Sequence, residues 1–290
     1  MRGFGVAAGL DPEVAGPLAA RCEELGYSSI WSNDHPGAKG LETLDVFGAG
    51  AARPDLGVGV IALDRTPPNQ IAADVERLGL DPSRLWIGVG AGFAKKPLTT
   101  MREELATLRA ALPDCRVVLA AMGPKMCELA GSDYDGAFFN WMTPDFAAGA
   151  RQKVEAGASA AGRETPPIFG YVRVAVGSDA AERLAKEESF YRQLHPGYEH
   201  HFERLGEPEG TVGVAAPDAT AAQDALAAYD AVLDTVVVRG LASANLEAMS
   251  TVAEAAAPEN DAFPGLTPLS GGKDWKRGGT TGAAPRQAPR

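Results

Sequence analysis

Tyr27-Ser28-Ser29-Ile30-Trp31-Ser32-Asn33-Asp34-His35-Pro36 is a short apolar run that ends in a polar cluster with a histidine, one strand-helix unit into the chain. Upstream of it, Val6 belongs to a first strand and Pro12 to Leu25 carries a helical pattern. Downstream the alternation continues, with strands expected at Leu56 to Leu63, Leu85 to Val89, Arg116 to Ala121, Gly136 to Asn140, Ile168 to Val176 and Thr235 to Arg239. Helical patterns fill the gaps at Pro68 to Leu78, Met101 to Leu112, Pro124 to Ala130, Pro144 to Ala161 and Ser243 to Ala256. Prolines near helix starts and glycines after helix ends (Gly26, Gly79, Gly131, Gly162) follow the usual asymmetry of caps. Eight strands alternating with helices predict an α/β fold, a closed (β/α)8 TIM barrel, because parallel strands need crossover helices and eight of them close the sheet. An open doubly wound sheet would usually carry a glycine-rich dinucleotide turn after its first strand, and Ala7-Ala8-Gly9-Leu10-Asp11-Pro12 lacks it. In a barrel, a histidine at the C-terminal end of a strand stands where such folds keep their chemistry.

Composition narrows the function classes. The 290 residues are 45% hydrophobic and 22% charged, enough to bury one large core. A formal net charge of -11 disfavours nucleic acid as a partner, since phosphate backbones need a basic stripe. Met1 to Ala8 contain no apolar signal core and no eighteen apolar residues run together, so the expectation is a cytoplasmic protein without a membrane span. Cys22, Cys115 and Cys127 form no C-x-x-C pair and suit a reducing compartment, as buried small hydrophobes.

Two stretches leave the repeat. From residue 178 to 228 the pattern is long and irregular and is rich in aromatic and histidine residues (Phe190, Tyr191, His195, Tyr198, His201, Phe202), which predicts a helical insertion before the last strand, of the kind used for lids or subunit contacts. From 262 to 290 the chain turns rich in Pro, Gly and Thr, with five basic residues against Asp274, and is expected to be a disordered tail after a single domain at 1–261.

Gly88-Val89-Gly90-Ala91-Gly92 is no nucleotide signature, because Phe93 stands where a dinucleotide fingerprint needs glycine and no Gly-Lys-Ser/Thr follows. At a strand exit it is either a tight βα turn or a place where a flat ring can approach bare backbone. Several segments read together resemble the luciferase-like monooxygenase superfamily in order and spacing. They are Leu25 to His35, Leu56-Gly57-Val58-Gly59-Val60-Ile61, Arg65-Thr66-Pro67-Pro68 before Ile71, and Arg84 to Gly92. Asp135-Gly136-Ala137-Phe138-Phe139-Asn140-Trp141-Met142-Thr143-Pro144 is similar to that family's sixth strand, and Tyr171 to Gly177 to its seventh. The resemblance covers residues 1 to 256 and is nearest to the branch that uses the deazaflavin coenzyme F420, typified by methylenetetrahydromethanopterin reductase.

The resemblance implies an oxidoreductase that moves a hydride between F420 and a small organic substrate, and a homodimer as the assembly; composition has already set nucleic acid and membrane aside as partners. FMN is the alternative cofactor, with an FMN-dependent monooxygenase as the alternative activity; a cofactor-free, non-catalytic barrel paralogue is the third reading. His35, beside Asp34, matches the family's acidic and histidine pair, with His35 as the catalytic proton donor or acceptor. The ring's bed is implied at a bulge in the third strand, often with a cis non-prolyl peptide, here Gly59-Val60, and at Gly90 and Gly92. Ala121, Met122 and Gly123 match the phosphate-side turn, where Pro124 opens a helix whose first amides point outward. Asn140 and Trp141 would line the pocket, and Arg173 and Arg239 are either anion contacts or structural ion pairs.

The chain also departs from its relatives. The connection from Gly92 to Met101 is short, and the glutamate that sugar-phosphate dehydrogenases of the superfamily place after the fourth strand is replaced by Phe93, Ala94, Lys95 and Lys96. No metal site is expected, because the spacing of His195, His200 and His201 with Glu199 and Glu203 fits no ligand motif, and neither a G-x-S-x-G elbow nor a cysteine nucleophile motif is present.

Overall fold

The computed structural model describes residues 1–258; the tail at 262–290 and the last residues of the expected 1–261 domain lie outside the described residues. Eight parallel strands close into a barrel: β1 (Arg2–Val6), β2 (Ser29–Ser32), β3 (Asp55–Ala62), β4 (Leu85–Gly90), β5 (Arg116–Ala120), β6 (Gly136–Asn140), β7 (Ile168–Val176) and β9 (Thr235–Gly240). The first six pair in chain order, β6 pairs β7, and β9 fits between β7 and β1 to complete the circuit. A ninth strand, β8 (Val214–Ala216), annexes only the C-terminal end of β7.

Helices surround the sheet: α1 (Pro12–Glu24), α2 (Gly40–Gly50), α3 (Pro68–Leu78), α4 (Pro97–Ala111), α5 (Pro124–Asp133), α6 (Pro144–Ala160), α7 (Ala180–Leu194), α8 (Pro196–Leu205), α9 (Ala219–Asp230) and α10 (Leu246–Ala255). Proline occupies the first turn of α1, α3, α4, α5, α6 and α8, where its missing N–H costs nothing. Side-chain oxygens of Asp11, Thr143, Asp218 and Asn245 cap four helix starts. Helix α2 and strand β8 were not among the sequence expectations. Three glycines and no local cap blur the helical signal in Gly40–Gly50, and its first amide is capped from six residues upstream, by Asp34.

Inside the barrel, alternate residues of each strand form layers. Arg116 and Trp86 both bond Asp55 at 2.9 Å, with the Arg116 guanidinium 4.1 Å over the indole. Above them Trp31, Val118, Phe138, Phe169, Tyr171 and Val237 fill the centre, with Trp31 4.8 Å from Phe138 and 5.2 Å from Phe169, centroid to centroid. Glycines opposite make this filling possible: a Cβ on Gly57 would collide with the Trp31 ring. A second, larger apolar core lies between the outer strand faces and the helices. With its centre packed solid, the barrel offers chemistry only at its ends.

Candidate functional site at the barrel mouth

The C-terminal ends of the strands converge at the mouth. At the exit of β2, Asn33 accepts from the Ala8 amide at 2.7 Å and ties this exit to that of β1. Asp34 is almost fully enclosed and accepts from the Gly40 amide at 3.1 Å and from Arg65 at 3.3 Å. It therefore holds the start of α2 and the β3–α3 loop, and it makes no hydrogen bond to His35. His35 is half-buried in a tight turn closed by reciprocal backbone bonds with Ala38. Its Nδ1 accepts from the Gly37 amide at 3.1 Å, which places the proton of the neutral ring on Nε2. Among the described residues Nε2 has no partner.

On β3 the Gly59–Val60 peptide is cis, and the pairing with β4 shifts register between Val58 and Ile61. The bulge turns Val60 inward against the aromatic cluster of the barrel's centre, whereas strict alternation would have placed it on the outer face. Gly90, next to it, lies so close that a Cβ there would sit 3.2 Å from Val60 and 3.4 Å from Ala120. Gly92 has a reason of its own within the chain. Its φ is +55°, and a Cβ would collide with the Asp64 carboxylate, which accepts from the Phe93 amide at 2.8 Å.

Beyond β5, Ala121 is buried and donates to the Phe138 carbonyl, while Gly123 opens α5 without a side-chain cap. Arg204 of α8 donates to the Met122 carbonyl at 3.3 Å, so a guanidinium stands beside the uncapped helix start. At the end of β6, Asn140 donates to the Tyr198 hydroxyl at 3.1 Å and accepts from Arg173. Trp141 has φ +53°, a conformation that costs a bulky residue about 1–3 kcal/mol and persists only where its surroundings hold it. Those surroundings are the Arg173 guanidinium 3.9 Å above the indole, Tyr191 and Phe202 at 5.1 and 5.5 Å, and a 2.6 Å bond from His201 Nε2 to the Trp141 carbonyl.

The helices before β9 build one wall. Tyr191, Tyr198, His201, Phe202 and Arg204 reach the mouth from α7 and α8, and His195, at the corner between these helices, meets Phe93 edge-on at 4.6 Å. Burial pushes the Tyr198 phenol up to about 12, with Tyr191 adding to the effect, and lowers the His201 imidazole below its ordinary value. The sequence marks this segment only through its density of aromatic and histidine residues, and no motif there says which of them face the mouth. The structure thus brings Asn140 and Trp141 together with Arg173, and brings Gly59, Val60 and Gly90 together opposite Ala120. Asp34 and Gly92 are committed to loop geometry.

A parallel eight-stranded barrel with a solid centre and a polar C-terminal mouth is the architecture of a TIM-barrel enzyme. The model of the luciferase-like monooxygenase family matches residues 104–256, and the chain belongs to that family. Its known members among the relatives are oxidoreductases. A 5,10-methylenetetrahydromethanopterin reductase from Methanolobus tindarius is 28% identical over 202 residues, 57% of this chain and 62% of the relative, so the match spans less than two thirds of that protein's length. The coenzyme F420-dependent tetrahydromethanopterin reductase from Methanopyrus kandleri superposes with a TM-score of 0.68 at 17% identity, covering 88% of this chain and 96% of that one. The FMN-bound oxygenating constituent of 3,6-diketocamphane monooxygenase from Pseudomonas putida superposes at 0.62 with 11% identity, covering 89% and 98%. At these identities the structures share the fold. Among the described residues no helix is long and apolar enough to cross a membrane.

Proposed function

We propose that the protein is an F420-dependent oxidoreductase that transfers a hydride between the deazaflavin ring and a small organic substrate. The observation that carries this reading is the bulge at Gly59-Val60, where half-buried Val60 and Ala120 lie against Gly90 and only short side chains stand between the mouth and the strands, beside the exit that presents the unpartnered Nε2 of His35. A flat tricyclic ring fits such a bed, because the short side chains of Val60 and Ala120 let it approach the strands closely. F420 bound there would supply the hydride donor or acceptor. Val60 would back the ring, Asn140 and Trp141 would wall it, and Gly92 would shape the turn at its edge. The backbone of Ala121, Met122 and Gly123, with the open α5 start and Arg204, suits the cofactor's phosphate, since helix N-termini favour anions. His35 Nε2 would give a proton to the substrate atom paired with the hydride, or take it in reverse, and Asp34 would hold the His35 turn in place through Gly40 and Arg65.

The reading includes a homodimer in the cytoplasm, where buried free Cys22, Cys115 and Cys127 suit a reducing environment. Light scattering tests the assembly, and a monomer removes that part. Titration of cofactor-stripped protein with F420 and with FMN, followed by fluorescence, tests the rest. Binding of F420 with retained binding and lost turnover in His35→Ala supports the proposal. Binding of FMN alone replaces it with monooxygenase chemistry, and binding of neither leaves a non-catalytic barrel.

A further inference from the structure

Arg173 and Arg239 stand side by side on neighbouring strands, paired across β7 and β9. Each is two residues beyond a side chain packed in the barrel's centre, Tyr171 and Val237, so both project inward at the layer of the mouth. They are 2% and 8% exposed. Arg173 bonds the amide oxygen of Asn140 and stacks on Trp141, but its Nε has no partner. Arg239 has no hydrogen-bond or ion-pair partner among the described residues.

The protein treats its other inward or buried arginines differently. Arg2, 7% exposed, pairs with Asp230 at 2.7 Å and also bonds Gln223 and the carbonyls of Ala256 and Ala257. Arg116, at the opposite end of the barrel, pairs with Asp55 at 2.9 Å. A buried guanidinium without a carboxylate carries an uncompensated desolvation cost, and two neighbouring ones add repulsion. Burial first, and then Arg239, lower the Arg173 guanidinium from its ordinary value, while Tyr191, Glu187 and Tyr198 act in the opposite direction. Glu187 acts on it without a direct ion pair. Two further polar groups nearby lack partners: the Tyr171 hydroxyl is buried and unpartnered, and so is the Trp141 indole N–H. Two cations and three unsatisfied donors share this corner, and its one side-chain amide acceptor, Asn140, is already engaged.

We infer that Arg173 and Arg239 form an oxyanion subsite in the barrel mouth, one that takes a carboxylate or phosphate carried by the substrate. The assignment to the substrate rests on the proposed function, in which the cofactor's phosphate lies at β5, separated from β9 by β6 and β7. Arg239 is the pair's adaptable member, since Arg173 also supports Trp141. The site selects acidic substrates and disfavours neutral ones of equal size, because an anion pairs with both guanidiniums and repays the desolvation of Arg173.

The test uses inorganic phosphate as probe, titrated into cofactor-free protein at constant ionic strength with chloride as the balancing anion, and read by thermal shift and calorimetry. The expected result is saturable stabilisation by phosphate, a dissociation constant at least tenfold weaker in Arg239→Gln, and partial recovery in Arg239→Lys. Arg239→Lys keeps the charge and covers the case in which Arg239→Gln fails to fold. No stabilisation beyond chloride, or equal affinity in wild type and a folded Arg239→Gln, overturns the subsite. F420 fluorescence titrations with and without phosphate separate the two sources of the oxyanion. Unchanged F420 affinity supports a substrate group, and competition overturns that assignment in favour of the cofactor's own phosphate. Phosphate binding is measured without any cofactor, so failure to bind F420 and FMN removes the proposed function while leaving the oxyanion site standing.

Discussion

Replacing Glu188 by alanine should loosen the wall of the mouth before it touches the barrel. The Glu188 carboxylate is fully enclosed on α7 and accepts four hydrogen bonds, two from Arg192 at 2.9 and 2.6 Å and one each from the Gly210 and Val212 amides at 3.1 Å. It therefore pins the segment that leads from α8 into β8. Truncation leaves the two amides without their acceptor, at about 1–3 kcal/mol for each one that stays buried, and breaks an enclosed ion pair, for which losses of about 3–5 kcal/mol are typical. Arg192 retains the Glu207 carbonyl and reaches solvent, and Gly210 is only half-buried, so the loss falls below the summed range of about 5–11 kcal/mol, at about 3–5 kcal/mol. For a domain of this size that corresponds to a fall in Tm of roughly 6–20 °C. Glu188→Gln keeps one acceptor oxygen for the two amides and should lose about half as much. Thermal melting measures the total, and hydrogen exchange at Gly210 and Val212 locates it, with faster exchange there than in β1 or β4. A Glu188→Ala protein that melts within about 2 °C of wild type, with unchanged protection at Val212, would refute the reasoning.

Three further predictions concern a buried histidine, the packing of α6 and the buried thiols. His201 donates from Nε2 to the Trp141 carbonyl and accepts at Nδ1 from Arg204 at 3.3 Å, so protonation would set a second N–H against a guanidinium, and burial already holds its pKa low. The unfolded chain then takes up the proton first. Stability from this site is complete above about pH 6.5 and is lost as the pH falls from there through the lower folded pKa, and the Tm of His201→Gln should fall less between pH 7 and 5. On α6, exposed Gly149 has open space around its Cβ position, so Gly149→Ala should stabilise by about 0.5–1 kcal/mol. On the same helix Gly157→Ala drives a methyl into the Glu128 carbonyl and should destabilise by about 1–3 kcal/mol; urea unfolding that gives both changes the same sign would contradict the packing of α5 on α6. Burial raises the thiols of Cys115 and Cys127 to about 11 and 12 and that of Cys22 further, so a thiol reagent at pH 8 should label native protein slowly and reach all three cysteines only after denaturation.

The strand positions were legible because β-branched and aromatic runs between proline-led helices carry their own signal, from Tyr27-Ser28-Ser29-Ile30-Trp31 to Thr235-Val236-Val237-Val238-Arg239. Helix α2 was not, because its N-terminal cap comes from Asp34 across a turn. Strand β8 was not, because three residues gain strand geometry only by adding to an existing edge of β7. The roles within the mouth divide in the same way. His35 announces itself by type and place, whereas the work of Asp34 on Gly40 and Arg65 exists only once β2, α2 and β3 are assembled.

By itself, then, the sequence determined the alternation of strands and helices, the closure into eight, and the strand ends at which polar residues gather. Those properties depend on neighbours one to four residues away, which periodicity records. Only the tertiary structure decided that Val60 turns inward at the bulge, that Tyr198, His201 and Arg204 close over β5 and β6, and that Arg173 and Arg239 share one corner without a carboxylate. Each of these joins residues far apart along the chain. Their interaction energies arise when closure of the barrel removes water from between them, and no local pattern encodes that step.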